Sequence, residues 1–289
     1  MSQSVEPMPA GGPCGGSRRH RPGRARWWIR AAGRAWRPAA LLAVCCAAWW
    51  ALAQARLVEP YLLPSPGATV HVLVDRWAYL WRHGWVTTYE TLLGFLAAAV
   101  VGVLAGVALV SSATAGRTLY PLLLLAQVVP KVAVAPLFVV WLGFGLAPKV
   151  LIAVLVAFFP VVVAMVTGLR AVDPEALELA ATMGGGRWRT FARIRFPAAL
   201  PHLFAGLKVA VTLAVTGAVV GEFVGADEGL GYVILQANGN LDTPLLFAGL
   251  LVMSLVGVAL FAAVEAAERL LVPWHAGRRG TAVVVTTAH

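Results

Sequence analysis

Three ionisable side chains interrupt or border long apolar stretches of this sequence. Lys131 and Lys208 each stand alone within such a stretch, and Glu222 directly follows the end of one. Placing a charged side chain in an apolar medium costs free energy. Such residues therefore usually line an ion or solute path or pair with another group of the protein. Lys131 and Glu222 are therefore candidates for lining a transport path, and Lys131 is equally suited to a structural contact. Lys208 is near enough to a span end to extend to the membrane surface.

A second group of residues is suited to contact with another protein rather than to catalysis. Asp173 and Pro174 predict the start of a helix over residues 175–183, with Glu175 in its first turn. Gly184, Gly185 and Gly186 then predict its end and a sharp turn.

A basic amphipathic helix is predicted over residues 186–195. Trp188, Phe191 and Ile194 are three apart and form one apolar stripe, and arginines fill the other faces. Pro197 and Pro201 are predicted to stop this helix and begin the next one. The segment fits a helix lying on the membrane surface or a docking element for a partner protein.

These segments must be positioned by a membrane domain. The chain has 289 residues, of which 60% are apolar and only 12% charged, with a net charge of +10. Such a composition excludes a soluble enzyme, a disordered protein and a secreted disulfide scaffold. The basic residues are spread between apolar blocks, so nucleic-acid binding is not expected. Cys14, Cys45 and Cys46 have no metal-knuckle or disulfide-framework spacing.

Six membrane-spanning helices are predicted from apolar runs of about 20 residues. A sheet is not expected, because the runs are continuous rather than alternating in polarity. With the N-terminus inside, 17 of the 23 basic residues fall in inner segments and four in outer ones, which places both termini in the cytoplasm. The six runs are residues 38–55, 91–110, 118–148, 150–169, 203–221 and 245–264.

The predicted organisation is a basic disordered tail over residues 1–37, a transmembrane domain over 38–273 and a cytoplasmic tail over 274–289. A signal peptide cleaved after Ala55 is an alternative for the first apolar run. The outer loop before residue 91 predicts an amphipathic helix with Val70, Val74, Trp77 and Trp81 on one face. That helix would anchor to the membrane or dock a partner.

Proline and glycine shape two of the predicted spans. Pro121, Pro130 and Pro136 fall in the third span and predict bends, which would serve a gate or simple packing. Pro136 is for that reason a path candidate. Gly94, Gly102 and Gly106 predict close helix contact by the second span.

The loop over residues 173–197 resembles the signature of binding-protein-dependent ABC transporter permeases. That signature is Glu-Ala-Ala, three residues, Gly, nine residues and Ile-x-Leu-Pro. Glu178-Leu179-Ala180, Gly184 and Ile194-Arg195-Phe196-Pro197 match every spacing, with Leu179 and Phe196 as apolar departures. The sequences 130–137, 141–145, 221–225 and 229–232 are similar to the nitrate/sulfonate/taurine branch.

The resemblance implies a MetI-like, all-α inner-membrane permease of a bacterial importer. It implies two copies flanking the solute path, membrane lipid around them, an ABC ATPase below and a solute-binding protein above. No cofactor is expected on this chain, since no G-x-x-x-x-G-K-[ST] phosphate loop occurs and the partner would bind ATP. The expected ATPase-coupling residues are Glu178, Ala180, Gly184, Arg187, Trp188, Phe191, Ile194 and Pro197.

The expected substrate is a small anion of the nitrate, sulfonate or taurine type. The alternative within the class is a pyrimidine precursor of thiamine. A secondary transporter is a remote alternative, because the predicted spans contain no central acid and show no internal repeat. A membrane enzyme is not favoured, because the six histidines are scattered.

Overall fold

A computed structural model describes residues 40–41, 43–55, 59 and 62–274, and all structural statements concern those residues. Their regular structure is entirely helical, as the sequence predicts. The tail predicted over residues 1–37 and residues 275–289 of the predicted C-terminal tail lie outside the described residues. The helices are α1 (Ala43–Gln54), α2 (Pro66–Asp75), α3 (Trp77–Ser111), α4 (Ala113–Ala126), α5 (Lys131–Leu142), α6 (Leu146–Arg170), α7 (Pro174–Thr182), α8 (Arg187–Thr190), α9 (Phe196–Gly225), α10 (Leu230–Gly239) and α11 (Thr243–Leu271).

Four helices in the described part of the chain are long and apolar enough to cross a membrane, so the predicted count of six is not reproduced. They are α3, α6, a continuous helix over Arg187–Gly225, and α11. The predicted run 118–148 forms the two shorter helices α4 and α5, and the run 38–55 yields the 12-residue α1. Pro130 explains the break before α5, because it lacks an N–H group and restricts the residue before it.

Helix α6 packs between α3 and α9 and forms the centre of the core. Glycines allow this close approach: a Cβ added to Gly94 of α3 would lie 2.5 Å from the Cβ of Ala153, and one on Gly217 of α9 would lie 2.7 Å from its Cα. The prediction that α3 makes close contacts through glycine is confirmed. Fully buried Val161 and Met165 fill the space further along α6.

An aromatic stripe runs along the first third of α3. Trp77, Trp81, Trp85 and Tyr89 recur every four residues, and each is about half exposed or more. Arg76 separates α2 from α3, so the predicted single amphipathic helix is two helices in the structure. Val70 and Val74 on α2 are exposed as well.

The two ends of the helical bundle are formed by different segments. One end, called the signature end, contains residues 171–196. The opposite end holds α2, α10 and the loop 226–229, with a small apolar core of its own around Leu80, Leu230 and Val233.

Candidate functional site

The first helix of the signature loop is α7, and it forms as the sequence predicts, within one residue at each end. The Asp173 side chain caps it, since Oδ1 accepts a hydrogen bond of 3.0 Å from the Glu175 N–H. Pro174 occupies the first turn, where its missing N–H costs nothing.

The turn after α7 requires glycine at two positions. Gly184 has φ +76°, in the left-handed region, and its N–H donates to the Ala181 carbonyl. The Gly185 N–H donates to the Ala180 carbonyl at 2.9 Å, and a Cβ on Gly185 would lie 2.5 Å from that same oxygen. The two bonds form a Schellman motif, which fixes the direction in which the chain leaves α7.

The second helix of the loop does not stop at Pro197, so that prediction is wrong. Helix α8 passes through a π-helical turn over Phe191–Arg195 directly into α9. In this wider turn the Phe196 N–H donates to the Phe191 carbonyl. The widened ladder relieves the clash that the Pro197 ring would make with the preceding turn, so the proline is accommodated without ending the helix.

The predicted apolar stripe of this segment faces two ways. Phe191 packs against the bundle core, whereas the stacked Trp188, with its ring centroid 5.9 Å away, is 77% exposed. Leu179 and Met183 are also exposed. Of the other expected coupling residues, Ala180, Ile194 and Pro197 are half-buried and Glu178 and Arg187 are exposed. The structure therefore leaves three large apolar side chains of the loop exposed, namely Leu179, Met183 and Trp188.

Lys131 is the first residue of α5 rather than the middle of a span. Its Nζ donates to the Gln127 carbonyl at 3.2 Å and lies 5.0 Å from the centre of the Phe159 ring. Within the described ranges no carboxylate lies within 4.0 Å of it. Pro136 is exposed within α5, and Glu222 is buried among other partners, so the contacts of the three path candidates do not join them.

A buried polar cluster at the opposite end includes two charged residues that lie outside the predicted spans. Glu90 lies within α3 and Lys149 within α6, where Nζ and Oε1 form an ion pair of 2.7 Å. Glu90 directly precedes predicted span 91–110, and Lys149 directly precedes predicted span 150–169. In the predicted topology both spans begin at the outer side of the membrane. The sequence signal that could have predicted this ion pair is the presence of opposite charges at equivalent positions, each directly before a predicted span.

Glu222 and Thr87 connect that cluster to α10. Glu222 is 1% exposed and accepts hydrogen bonds from the Thr87 hydroxyl at 2.7 Å and from the Gly231 N–H. Thr87 accepts in turn from the Leu230 N–H at 2.7 Å. The start of α10 is thus held by side chains of α3 and α9, and a Cβ on Gly229 would overlap the Glu222 carboxyl group.

A second ion pair joins α9 to α11. Lys208 Nζ lies 2.5 Å from Glu268, which is 3% exposed and beyond the predicted end of the last span. Lys208 therefore binds a carboxylate within the protein, and an extension to the membrane surface is not needed to satisfy it.

Comparison with known proteins identifies the family of this architecture. Residues 98–274 match the family described as the binding-protein-dependent transport system inner membrane component. The chain is 37% identical over 226 residues to the formylaminopyrimidine transport permease protein of Halalkalibacterium halodurans, covering 78% of this chain and 90% of that protein. It is 32% identical over 265 residues to a putative aliphatic sulfonates transport permease protein of Bacillus subtilis, covering 91% and 94%.

The fold also matches a solved structure. A chain of the MetNI methionine ABC transporter, in an inward-facing conformation, superimposes with a TM-score of 0.53 at 22% identity, covering 66% of this chain and 98% of that one. This likeness establishes the fold and agrees with the all-α, MetI-like architecture that the family resemblance implies. The chain belongs to the binding-protein-dependent ABC transporter permeases, as an inner membrane component of such a transport system.

Proposed function

We propose that this chain forms the solute path of an importer driven by a separate ATPase, which docks at the signature end. The observation that carries the proposal is the surface of the signature loop. Leu179, Met183 and Trp188 are each more than 60% exposed there. In the described chain, the arginines of the same loop, Arg187, Arg189, Arg193 and Arg195, have no carboxylate within 4.0 Å. A loop that exposes both large apolar groups and cations without an ion-pair partner suits a protein interface.

The continuous helix over Arg187–Gly225 gives the docking surface a direct connection to the opposite end. Its 39 residues correspond to about 58 Å at about 1.5 Å per residue. Trp188 lies near one end of it and Glu222 near the other. A tilt imposed on the loop by the ATPase therefore moves the residue that holds the start of α10.

The basic residues orient the bundle with the signature end in the cytoplasm and both termini inside. Lys149 no longer counts as an outer charge, because it is neutralised by Glu90 within the helices. The inside bias of the remaining exposed charges is thereby increased. The family description names an inner membrane component, so the proposed membrane is the bacterial inner membrane, and a solute-binding protein would meet the opposite end.

A second copy of the chain is the proposed partner for α5. Val140 and Trp141 lie at the end of this helix and Phe144 follows it, and all three are between 68% and 79% exposed. Two copies that meet near α5 would enclose a path lined by both Lys131 side chains and would cover these apolar groups.

A small anion such as a sulfonate or nitrate is the proposed substrate. Lys131 supports it, since this cation has no carboxylate partner among the described residues and stands at the start of α5, where helix N–H groups also favour an anion. The relative named for aliphatic sulfonates agrees with this choice. The formylaminopyrimidine relative makes a pyrimidine precursor the second candidate.

Co-purification tests the docking proposal. The tagged full chain is expressed with the ABC ATPase encoded nearest to its gene, and the ATPase retained is quantified for Trp188→Ser and Trp77→Ser. Loss of a central interface tryptophan weakens binding by about 2 kcal/mol or more, roughly 30-fold, so Trp188→Ser should lose most of the ATPase. Trp77→Ser removes a half-exposed tryptophan at the opposite end, so this variant should retain the ATPase. Equal retention by both variants would contradict the docking site.

A further inference from the structure

A cavity of about 690 Å³ lies between the last turns of α3 and the signature loop. Val107 and Val110 of α3 form one apolar wall, and Trp188 and Phe191 form another. The exposed Trp188 is thus both part of the loop surface and part of the cavity. Such a lining suits hydrocarbon.

Two guanidinium groups also line this cavity. Arg187 stands at the start of α8 and Arg195 at the end of the π-helical turn. Neither has a carboxylate within 4.0 Å among the residues that the structure describes. Two cations beside an apolar wall select a ligand that is anionic at one end and apolar at the other.

The apolar wall continues along α3 toward the middle of the helix. Ala99, Val100, Val103 and Leu104 line a second, shallower depression of about 310 Å³ that is wholly apolar. Val100, Leu104, Val107 and Ser111 recur at helical spacing, so both depressions lie on one face of α3. Residues 100 and 111 are about 17 Å apart along the axis, which gives a track for an acyl chain.

The depth of the cavity agrees with a ligand from the bilayer. Helix α3 ends at Ser111, so the arginines lie where this spanning helix leaves the apolar region. We propose that the cavity is a binding site for an anionic phospholipid, with the phosphate between Arg187 and Arg195 and one acyl chain along α3 toward Val100. In the proposed orientation the lipid comes from the cytoplasmic leaflet, whose anionic headgroups suit this site.

The bound lipid would fill the space behind the signature loop. It would contact α7 through Leu177 and the start of the long helix through Arg187, so it would stabilise the loop against α3. Trp188 and Arg187 belong to both this cavity and the proposed docking surface, so the two roles are separated by experiment.

Native mass spectrometry of the delipidated full chain tests the site. Phosphatidylglycerol and phosphatidylcholine with identical acyl chains are titrated separately onto the wild type, Arg187→Gln/Arg195→Gln and Arg189→Gln/Arg193→Gln. Near a membrane surface each arginine contributes about fivefold to binding an anionic lipid, so the first double variant should weaken phosphatidylglycerol binding roughly 30-fold. The second has the same charge loss in the same loop but outside the cavity lining, and should bind as the wild type does. Phosphatidylcholine should bind weakly to all three.

A further variant tests the apolar wall of the cavity without changing the charge of the protein. Val107→Trp fills the cavity and should abolish the phosphatidylglycerol complex while both arginines remain. Equal loss in the two arginine variants would show a diffuse charge effect and overturn the site. Displacement of the lipid by millimolar glycerol 3-phosphate would assign the arginines to a soluble anion. Displacement by the ATPase, with the same arginine dependence, would assign the cavity to protein contact.

Discussion

Lys149 Nζ lies 2.7 Å from Glu90 Oε1, and neither side chain is more than 8% exposed. The pair joins α6 to α3 inside the protein, and Nζ also lies 3.4 Å from the Glu228 carbonyl. Because both charges are buried, each is acceptable only while the other is present.

Lys149→Met is expected to destabilise the protein by about 3–5 kcal/mol, because Glu90 is left as an unpaired buried charge. The double variant Lys149→Met/Glu90→Gln should recover most of that loss. Thermal unfolding in detergent measures both, and Arg82→Met is the control. Arg82 pairs with Glu228 at an exposed position, so its loss should cost less than about 1 kcal/mol. An equally large effect of Lys149→Met in the presence and absence of Glu90→Gln would contradict the coupling.

Thr87→Val is expected to cost about 1–3 kcal/mol, because it removes the acceptor for the Leu230 N–H and a donor to Glu222. Thr91 provides the matched control on the same helix. It is equally buried, but its hydroxyl has no hydrogen-bond partner among the residues that the structure describes. Thr91→Val should therefore be neutral or stabilising in the same unfolding measurement. If the two variants lose equal stability, Thr87 does not hold α10.

Gly184→Val should uncouple ATP hydrolysis from transport while membrane insertion is unchanged. A β-branched residue at φ +76° is strained by about 1–3 kcal/mol, so the turn would leave α7 in another direction. Gly186→Val is the control, since Gly186 has φ −62° and no atom lies within 4 Å of an added Cβ. The measurement is the ratio of solute transported to ATP hydrolysed in proteoliposomes of the complete transporter. Normal coupling in Gly184→Val would refute a role for this turn.

Single cysteines at Ala176 and Asn240, in a variant without the native cysteines, should label from opposite sides. Both positions are exposed, one at the signature end and one at the opposite end. An impermeant thiol reagent added to intact spheroplasts should modify the cysteine at 240 only, and after lysis it should modify both. Labelling at 176 before lysis would reverse the proposed orientation.

Lys131→Ala should lower uptake of an anionic substrate by roughly tenfold to a hundredfold. This factor corresponds to the free energy of one hydrogen bond to a charged group. Lys131→Arg keeps the charge and is the control. Uptake of taurine, an alkyl sulfonate, nitrate and formylaminopyrimidine is measured for each, with ATPase co-purification as the check on assembly. Unchanged uptake of every anion by the assembled Lys131→Ala complex would exclude Lys131 from substrate recognition.

Local signals predicted the signature loop well, because capping residues, prolines and glycines act through their immediate neighbours. The cap at Asp173 and the end of α7 at Gly184 follow from such signals. The helix count failed where an apolar run contains Pro130, since hydropathy alone does not distinguish one bent helix from two short ones. The continuation through Pro197 was missed because a π-helical turn has no clear sequence signature.

The buried polar cluster could be predicted only in part. The apolar runs leave Glu90 and Lys149 just outside predicted spans 91–110 and 150–169, because a charged residue ends an apolar run. Their burial depends on a contact between two residues 59 positions apart in the chain, and a local sequence pattern does not contain that contact. Glu222 was singled out as a path residue, and that role stays a prediction. Its contacts with Gly231 of α10 and Thr87 of α3 depend on the tertiary packing of these three helices, which the sequence around Glu222 does not reveal.

The aromatic stripe on α3 bears on how this protein meets membranes of different thickness. Helix α3 has 35 residues, or about 52 Å, whereas a hydrocarbon core is about 30 Å thick. The four aromatic side chains of the stripe are spread over about 18 Å of the axis, which is more than one headgroup layer can hold at once. A thicker or thinner bilayer then brings a different ring of the same stripe to its boundary. Hydrophobic mismatch can thus be absorbed by a small change in tilt or immersion of one helix, without repacking the glycine contacts between α3 and α6.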